Sequence, residues 1–336
     1  MKITILSDGG WATALSQLLI RNGHKVTMWG PFPEYLDEMR ETRLNRKFLT
    51  GVLLDDRLLF ESDMQKAVHD AELIVLAMPT QYLRSVLAKF KPFFKQNQHL
   101  LVNVAKGIEI DSWMRISEVT KDVLGSCRYV GLSGPSHAEE VSRQIPTLVV
   151  AASQNQKDAE TVQSAFMNSK FRVYTSDDLC GIEYGGSLKN VLAIAAGIID
   201  GMSLGDNPKA ALITRGIAEM SRLGEKLGGK AETFMGLSGI GDLIVTCTSG
   251  HSRNRHVGEA LGHGLSLADI KKEMGMVVAE GVYTAKGAKH LADTNDIEAP
   301  IIQEIYAVLY EGKTPLAAIH DLMCRDAKPE IINDGI

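Results

Sequence analysis

Short apolar runs alternate with helix-length amphipathic stretches through the first half of the chain. Lys2–Leu6 reads as a buried strand, and beyond Gly9-Gly10 the apolar positions over 11–21 recur at helical spacing. Asn22-Gly23 supplies a helix stop, and a second strand over 25–29 ends at Gly30-Pro31. Further strands are predicted at 73–78, 100–104, 129–132, 147–151 and 171–174. Strands separated by helices build βαβ units, whose right-handed crossovers give a mostly parallel sheet. After Asp178 this alternation gives way to helices rich in Ala, Leu, Met and Gly, predicted at 184–202, 207–227, 231–235, 256–261, 266–272, 284–292 and 301–310. The expected fold is a Rossmann-type doubly wound α/β domain over 1–178 and an all-α domain over 179–336. Ligands are expected in the cleft between them.

Bulk properties narrow the function. A length of 336 residues suits two domains of roughly 150 residues each. A net charge of -5 without a long basic tract argues against nucleic acid or an anionic membrane as the main partner. Cys127, Cys180, Cys247 and Cys324 lack the clustering of a disulfide framework or zinc site, so no metal is expected and the thiols read as reduced and cytoplasmic. The start of the chain lacks the long apolar segment of a secretory signal. The longest apolar stretch, 191–199, is far below the roughly 18 residues of a membrane span.

Doubly wound sheets bind ligands beyond the carboxyl ends of their strands. The first strand-to-helix turn is Ser7-Asp8-Gly9-Gly10-Trp11-Ala12. Against G-x-G-x-x-G/A it keeps Gly9 and Ala12 but has Ser7 at the first glycine. Gly9 would let the backbone approach a pyrophosphate, and the amides of Gly10 and Trp11 would meet its charge. Asp8 places a negative charge near those phosphates, which counts against the reading, and a plain tight turn fits the loop too. The second strand ends without the Asp or Glu that would hold an NAD ribose or the Arg that would take the NADP phosphate. The choice between NAD and NADP is left open.

Four constellations carry candidate chemistry. Lys106 follows the strand predicted at 100–104, where its ammonium could neutralise a phosphate or sit on the surface. In Ser133-Gly134-Pro135-Ser136-His137-Ala138-Glu139, Ser136 and Glu139 fit the capping box S-x-x-E, and His137 reads as exposed and idle. Lys189 follows Gly185-Gly186-Ser187-Leu188 into an apolar helix. Burial there would lower its pKa toward that of a general acid/base, whereas a snorkelling lysine would reach solvent. Asp242 follows Gly239-Ile240-Gly241, and Ser252-Arg253-Asn254 place a hydroxyl, a guanidinium and an amide side by side, a set suited to phosphate.

Together these segments resemble the soluble NAD(P)-dependent glycerol-3-phosphate dehydrogenase family, from Lys2 to about residue 326. The most specific stretches are 132–141, 185–190, 210–216, 239–248, 252–254 and 278–282. The resemblance implies reversible hydride transfer between sn-glycerol 3-phosphate and dihydroxyacetone phosphate, supplying glycerol 3-phosphate for phospholipid synthesis. It implies Lys189 as general acid/base. Lys106, Gly134, Ser136, Asp242, Ser252, Arg253 and Asn254 would surround the substrate with it. Gly10, Trp11, Lys106, Ala138, Arg253, Val278 and Glu280 would lie beside the dinucleotide, with Gly9 from the loop pattern. The chain departs from the family at Ser7, Gly10 and Ala12, and at Gly30-Pro31-Phe32, where a basic residue is common. Another two-domain hydroxyacid dehydrogenase and a non-catalytic dinucleotide-binding sensor are the alternatives. A homodimer is the default assembly.

Overall fold

The computed structural model describes residues 1–275 and 279–330. Ten strands form: β1 Lys2–Leu6, β2 Lys25–Trp29, β3 Leu44–Asn45, β4 Leu49–Leu53, β5 Leu59–Glu61, β6 Leu73–Leu76, β7 Leu100–Asn103, β8 Arg128–Ser133, β9 Thr147–Ala152 and β10 Phe171–Ser176. Eight of them make one sheet in the order β10-β9-β8-β7-β6-β1-β2-β5, and β3 pairs with β4 as a separate hairpin. Pairing is parallel from β5 across to β8, antiparallel between β8 and β9, and parallel again to β10. Strand order reverses where β1 meets β6, the point at which such sheets hold a ligand. β1, β6, β7 and β8 are almost wholly buried, as expected of largely apolar strands covered on both faces.

The predicted Rossmann-type domain followed by helices is what the chain forms. Short elements escaped the sequence reading: β5, the β3–β4 hairpin and the helices Asp242–Thr248 and Pro315–Met323. A three-residue strand and a two-residue strand with a register shift offer no periodicity to detect. Helix Asp242–Thr248 is rich in β-branched residues, and tertiary packing overrides their weak helix propensity.

The helical half is organised around Leu179–Gly201, whose residues 181–199 are all buried. Helices Asp206–Lys226, Asp242–Thr248, Arg253–Gly262, Glu280–Thr294 and Pro300–Tyr310 pack around it. A helix apolar on nearly every side is stable only when so enclosed. Its closest neighbour is Arg253–Gly262, because the two cross through glycines. A Cβ at Gly258 would collide with the Ile194 carbonyl oxygen, and one at Gly197 with the Arg255 carbonyl oxygen. Among the described residues no helix is long and apolar enough to cross a membrane.

This crossing positions Ser252 and Asn254 against the helix that carries Lys189. Gly258→Ala should therefore lose at least about 2 kcal/mol, the scale of overpacking against an unyielding backbone. Urea unfolding checks it, and an unshifted midpoint would show that the crossing is looser than drawn.

Candidate active site

The carboxyl edge of the sheet meets the helical half at one buried carboxylate. Asp242 is 2% exposed. Its Oδ2 accepts from Lys106 Nζ at 2.6 Å, and its Oδ1 lies 3.0 Å from Lys189 Nζ. Lys106 also donates to the Gly134 carbonyl at 2.8 Å, and Lys189 to Thr246 Oγ1 at 2.7 Å. Three segments distant in sequence thus converge on one carboxylate.

The local sequence explains how they approach. Gly185 and Gly186 cost helix stability, roughly 1 kcal/mol each relative to Ala, but they open both flanks of the helix. A Cβ at Gly185 would stand 2.7 Å from the Ser238 carbonyl oxygen, and one at Gly186 would stand 2.8 Å from Ser133 Oγ, with the Lys106 stem beside it. Opposite Gly185 the chain makes a wide i→i+5 turn, Gly241 N donating to Gly236 O at 3.1 Å, which delivers Asp242 at the start of its helix. Such wide turns are frequent at functional sites. A relay of amides binds the remaining pieces. Asn190 donates to the Lys106 carbonyl at 3.0 Å and accepts from Asn254 at 2.8 Å, and Asn254 accepts from Gly281 N at 2.9 Å.

Electrostatics follow from burial. Desolvation lowers the Lys189 ammonium to about 8, with Asp242 opposing the shift and Lys106 reinforcing it. Burial alone would raise the Asp242 carboxyl, but Lys106 and Lys189 bring it below its ordinary value. A general acid/base needs a pKa near the working pH, and Lys189 has one.

The other predicted residues are placed as follows. Ser136 is half-buried and donates to the Gly134 carbonyl at 2.9 Å. The capping box expected of Ser136 and Glu139 does not form: His137 is the cap residue of helix Ala138–Ser142 and makes no side-chain cap bond. Ser136 bends back instead because the Gly134 carbonyl, already held by Lys106, lies within its reach. His137 is not exposed and idle. It is half-buried, its Nε2 has no partner among the described residues, and burial followed by the Lys189 charge lowers its pKa. Ser252 is buried and caps helix Arg253–Gly262, accepting from Arg255 N at 3.2 Å. Arg253 is exposed, so the structure does not align the three side chains of 252–254 on one face. Its charge nevertheless acts on Glu280, whose pKa is raised by burial and pulled down by Arg253. Glu280 Oε1 accepts from Thr80 N at 2.8 Å, which docks helix Glu280–Thr294 onto the loop after β6. Gly9 caps helix Gly10–Arg21, which has no side-chain cap. Trp11 and Ala138 pack against the sheet core. Val278 lies outside the described residues.

Sequence reasoning did not single out Thr246 or Asn190. Thr246 stands four residues after Asp242, the helical spacing that lets both reach one amine, but its helix was not recognised. Asn190 follows Lys189 directly, and nothing local marks it as the hub between Lys106 and Asn254.

A doubly wound sheet joined to a helical half, with a buried amine at the joint, defines a two-domain dehydrogenase of the dinucleotide-binding class. Comparison with known proteins specifies it. Residues 2–159 match the family model of the NAD-dependent glycerol-3-phosphate dehydrogenase N-terminus, and residues 178–320 that of its C-terminus. A glycerol-3-phosphate dehydrogenase [NAD(P)+] of Chlorobium limicola is 48% identical over 334 residues, covering 98% of this chain and 100% of that protein. One from Bacillus velezensis is 48% identical, covering 96% and 94%. The crystal structure of glycerol-3-phosphate dehydrogenase from Coxiella burnetii superposes with a TM-score of 0.92 at 36% identity, covering 96% of this chain and 99% of that one. The chain belongs to the NAD-dependent glycerol-3-phosphate dehydrogenase family. D-mandelate dehydrogenase with NADH, at 13% identity and a TM-score of 0.62, shares the fold.

Asp242→Ala would leave two ammonium groups facing each other without their shared counter-charge. The variant should lose about 3 kcal/mol at pH 7, the low end for breaking a buried pair because Lys189 can shed its proton. The measurement is a denaturant midpoint at unchanged m-value; equal midpoints would show that water already solvates the carboxylate.

Proposed function

We propose that the chain catalyses the NAD(P)-dependent interconversion of sn-glycerol 3-phosphate and dihydroxyacetone phosphate. One observation carries the reading: a buried lysine, its proton affinity lowered to about 8, held between a carboxylate and a hydroxyl where the two halves meet. The names of the similar proteins supply the substrate and cofactor class.

The residues present suit a dinucleotide. Helix Gly10–Arg21 lacks a side-chain cap, so its first amides are available to a pyrophosphate at the switch point of the sheet. Gly9, Gly10 and Trp11 would hold that end, with Ala138 and Glu280 toward the reacting end and Lys106, Arg253 and Val278 completing the set. A nicotinamide held there would supply the acceptor for the hydride released from carbon 2 of the alcohol.

Lys189 as neutral amine takes the hydroxyl proton during oxidation and, as ammonium, returns it to the carbonyl oxygen during reduction. Thr246 and Asp242 aim the amine. Lys106, paired with Asp242, would stand next to charge developing on that oxygen. Arg253, exposed at the start of its helix, would supply a forked cation for the substrate phosphate, with Ser252 and Asn254 beside it. Gly134 and Ser136 line the side facing Lys106. Confinement of these groups aligns the alcohol carbon before reaction. The reading includes supply of glycerol 3-phosphate for phospholipid synthesis and a cytoplasmic homodimer. The four cysteines are unpaired, which fits a reducing compartment, and light scattering tests the dimer.

The decisive assay follows loss of reduced-nicotinamide absorbance with dihydroxyacetone phosphate, using NADH and NADPH in parallel and small keto acids as controls. Turnover of a keto acid in preference to the phosphorylated ketone would overturn the substrate. Lys189→Ala should lower turnover by roughly 10²- to 10⁴-fold, the range for a positioned acid/base, while the fold persists by circular dichroism.

The pH dependence has a defined sign. Lys189 is a base only above about pH 8, so the oxidation rate should rise through that value and the reduction rate fall through it. Asp242→Asn removes the charge that favours the protonated amine, so the inflection should move below about 8. A profile whose inflection ignores this substitution would assign the titration to another group.

A further inference from the structure

Two peculiarities of the cofactor end, separate in sequence, meet in space. The loop after β1 carries Asp8, an acid beside the place of a pyrophosphate. The end of β2 carries Gly30-Pro31, without a side chain able to hold a ribose. β1 and β2 pair in parallel as far as Leu6 and Trp29, and Ser7 N donates to Trp29 O at 3.0 Å. Asp8 therefore leaves the sheet alongside Gly30. Its side chain turns toward β2. A Cβ built on Gly30 would stand 2.8 Å from Asp8 Oδ2 and 3.1 Å from its Cγ. The carboxylate occupies the space that the first atoms of a side chain at position 30 would need.

This carboxylate is poorly explained by the protein around it. Asp8 is 9% exposed, and Oδ2 has no hydrogen-bond partner among the described residues. Burying an ionisable group without a partner is costly. The loop is anchored by other atoms: Asn45 Nδ2 donates to the Asp8 carbonyl at 2.8 Å and to Thr13 Oγ1 at 2.7 Å, while Asn45 Oδ1 accepts from Tyr35 and Phe48. The cation whose charge acts on Asp8 is Lys47, whose ammonium lies 4.1 Å from the Tyr35 ring centroid. Apart from its own backbone amide, the carboxylate is thus held in place with Oδ2 left without a donor among the described residues.

In doubly wound domains an acid about 20 residues after the glycine loop, at the end of the second strand, accepts the ribose hydroxyls of NAD, and a cation there accepts the extra phosphate of NADP. Position 30 is where that acid would start. We propose that Asp8, reaching across from the β1 loop, is the ribose-accepting carboxylate of this chain and makes it select NAD over NADP. Both hydroxyls of the adenosine ribose can donate to a carboxylate. A 2′-phosphate in their place would set two negative charges against each other in a confined site, with Pro31 offering neither charge nor amide hydrogen to offset them.

The inference rests on the dinucleotide reading above, and equilibrium binding separates the two. Fluorescence titration with NADH and with NADPH, without substrate, gives both Kd values for the wild type, Asp8→Asn and Asp8→Ala. The wild type should bind NADH at least about tenfold more tightly. Asp8→Asn, which keeps the shape and loses the charge, should weaken NADH and strengthen NADPH, bringing the ratio near unity. A merely structural Asp8 would be rescued by Asn with the ratio intact. Wild-type affinities equal within about threefold, or a ratio unmoved in Asp8→Asn, would overturn the assignment while leaving dinucleotide binding in place. Failure of the wild type to bind either nucleotide would instead sink the dinucleotide reading, and this inference with it. If Asp8→Ala fails to fold, the wild-type ratio and the isosteric variant still decide.

Discussion

The structure depends on a carboxylate shared by two lysines. Asp242 could not be buried as an ion alone, nor could Lys106 and Lys189 share the space without it, since desolvation penalises each charge and like charges repel. The triad is therefore stable only as a closed set, and closing it brings the β7 loop, the central helix and the wide turn after Gly236 to one point. The same arrangement places an amine of lowered proton affinity beside a carboxylate brought below its ordinary value. The carboxylate is held toward its ionised form and one amine titrates lower than usual, which is the division of labour a proton-transfer site requires.

The central helix carries a second buried ion that meets the same demand by different means. Glu183, six positions before Lys189, accepts from Arg115, from Ser117 through both backbone and hydroxyl, and from Tyr129. Burial still raises its pKa against these partners. The helix is thus tied to the loops of the sheet through polar anchors on its sheet-facing side, with apolar packing elsewhere. Apolar contacts tolerate sliding, whereas a hydrogen-bonded ion tolerates little. The arrangement suits a helix that must hold one amine in register with a sheet edge built from other parts of the chain.

How much of this was legible in the sequence depended on range. Strands such as β1, β6 and β7 announced themselves because strands covered on both faces must be largely apolar, and β1 and β2 appear with the expected ends. Lys189 stood out because an ammonium amid Val191, Leu192 and Ile194 has to be explained. Thr246 and Asn190 had no such contrast, being ordinary polar residues whose meaning comes from partners 57 and 64 positions away. Ser136 shows the opposite error. Its spacing to Glu139 satisfied a local rule, yet a carbonyl two residues back offered a better acceptor. Rules of short range identify what a segment can do, and the competing long-range contact decides what it does.

The altered glycine loop shows that departures from a pattern need to be read as a set. Ser7 takes the place of a glycine and adopts φ 155°, a backbone angle that side chains seldom accept, with its own hydroxyl accepting from Gly9 N at 3.1 Å. That internal bond braces the turn that a glycine would adopt unaided. The residue after it is then carried toward β2, where Gly30 leaves room for its carboxylate. Considered singly, Ser7 weakens the motif, Asp8 opposes a phosphate and Gly30 leaves the second strand without a ribose-holding side chain. In the folded chain the first change braces the second, and the third gives it space. A strand end without an acid and an acid on the neighbouring loop meet in three dimensions, because parallel strands bring positions about 20 residues apart in sequence side by side.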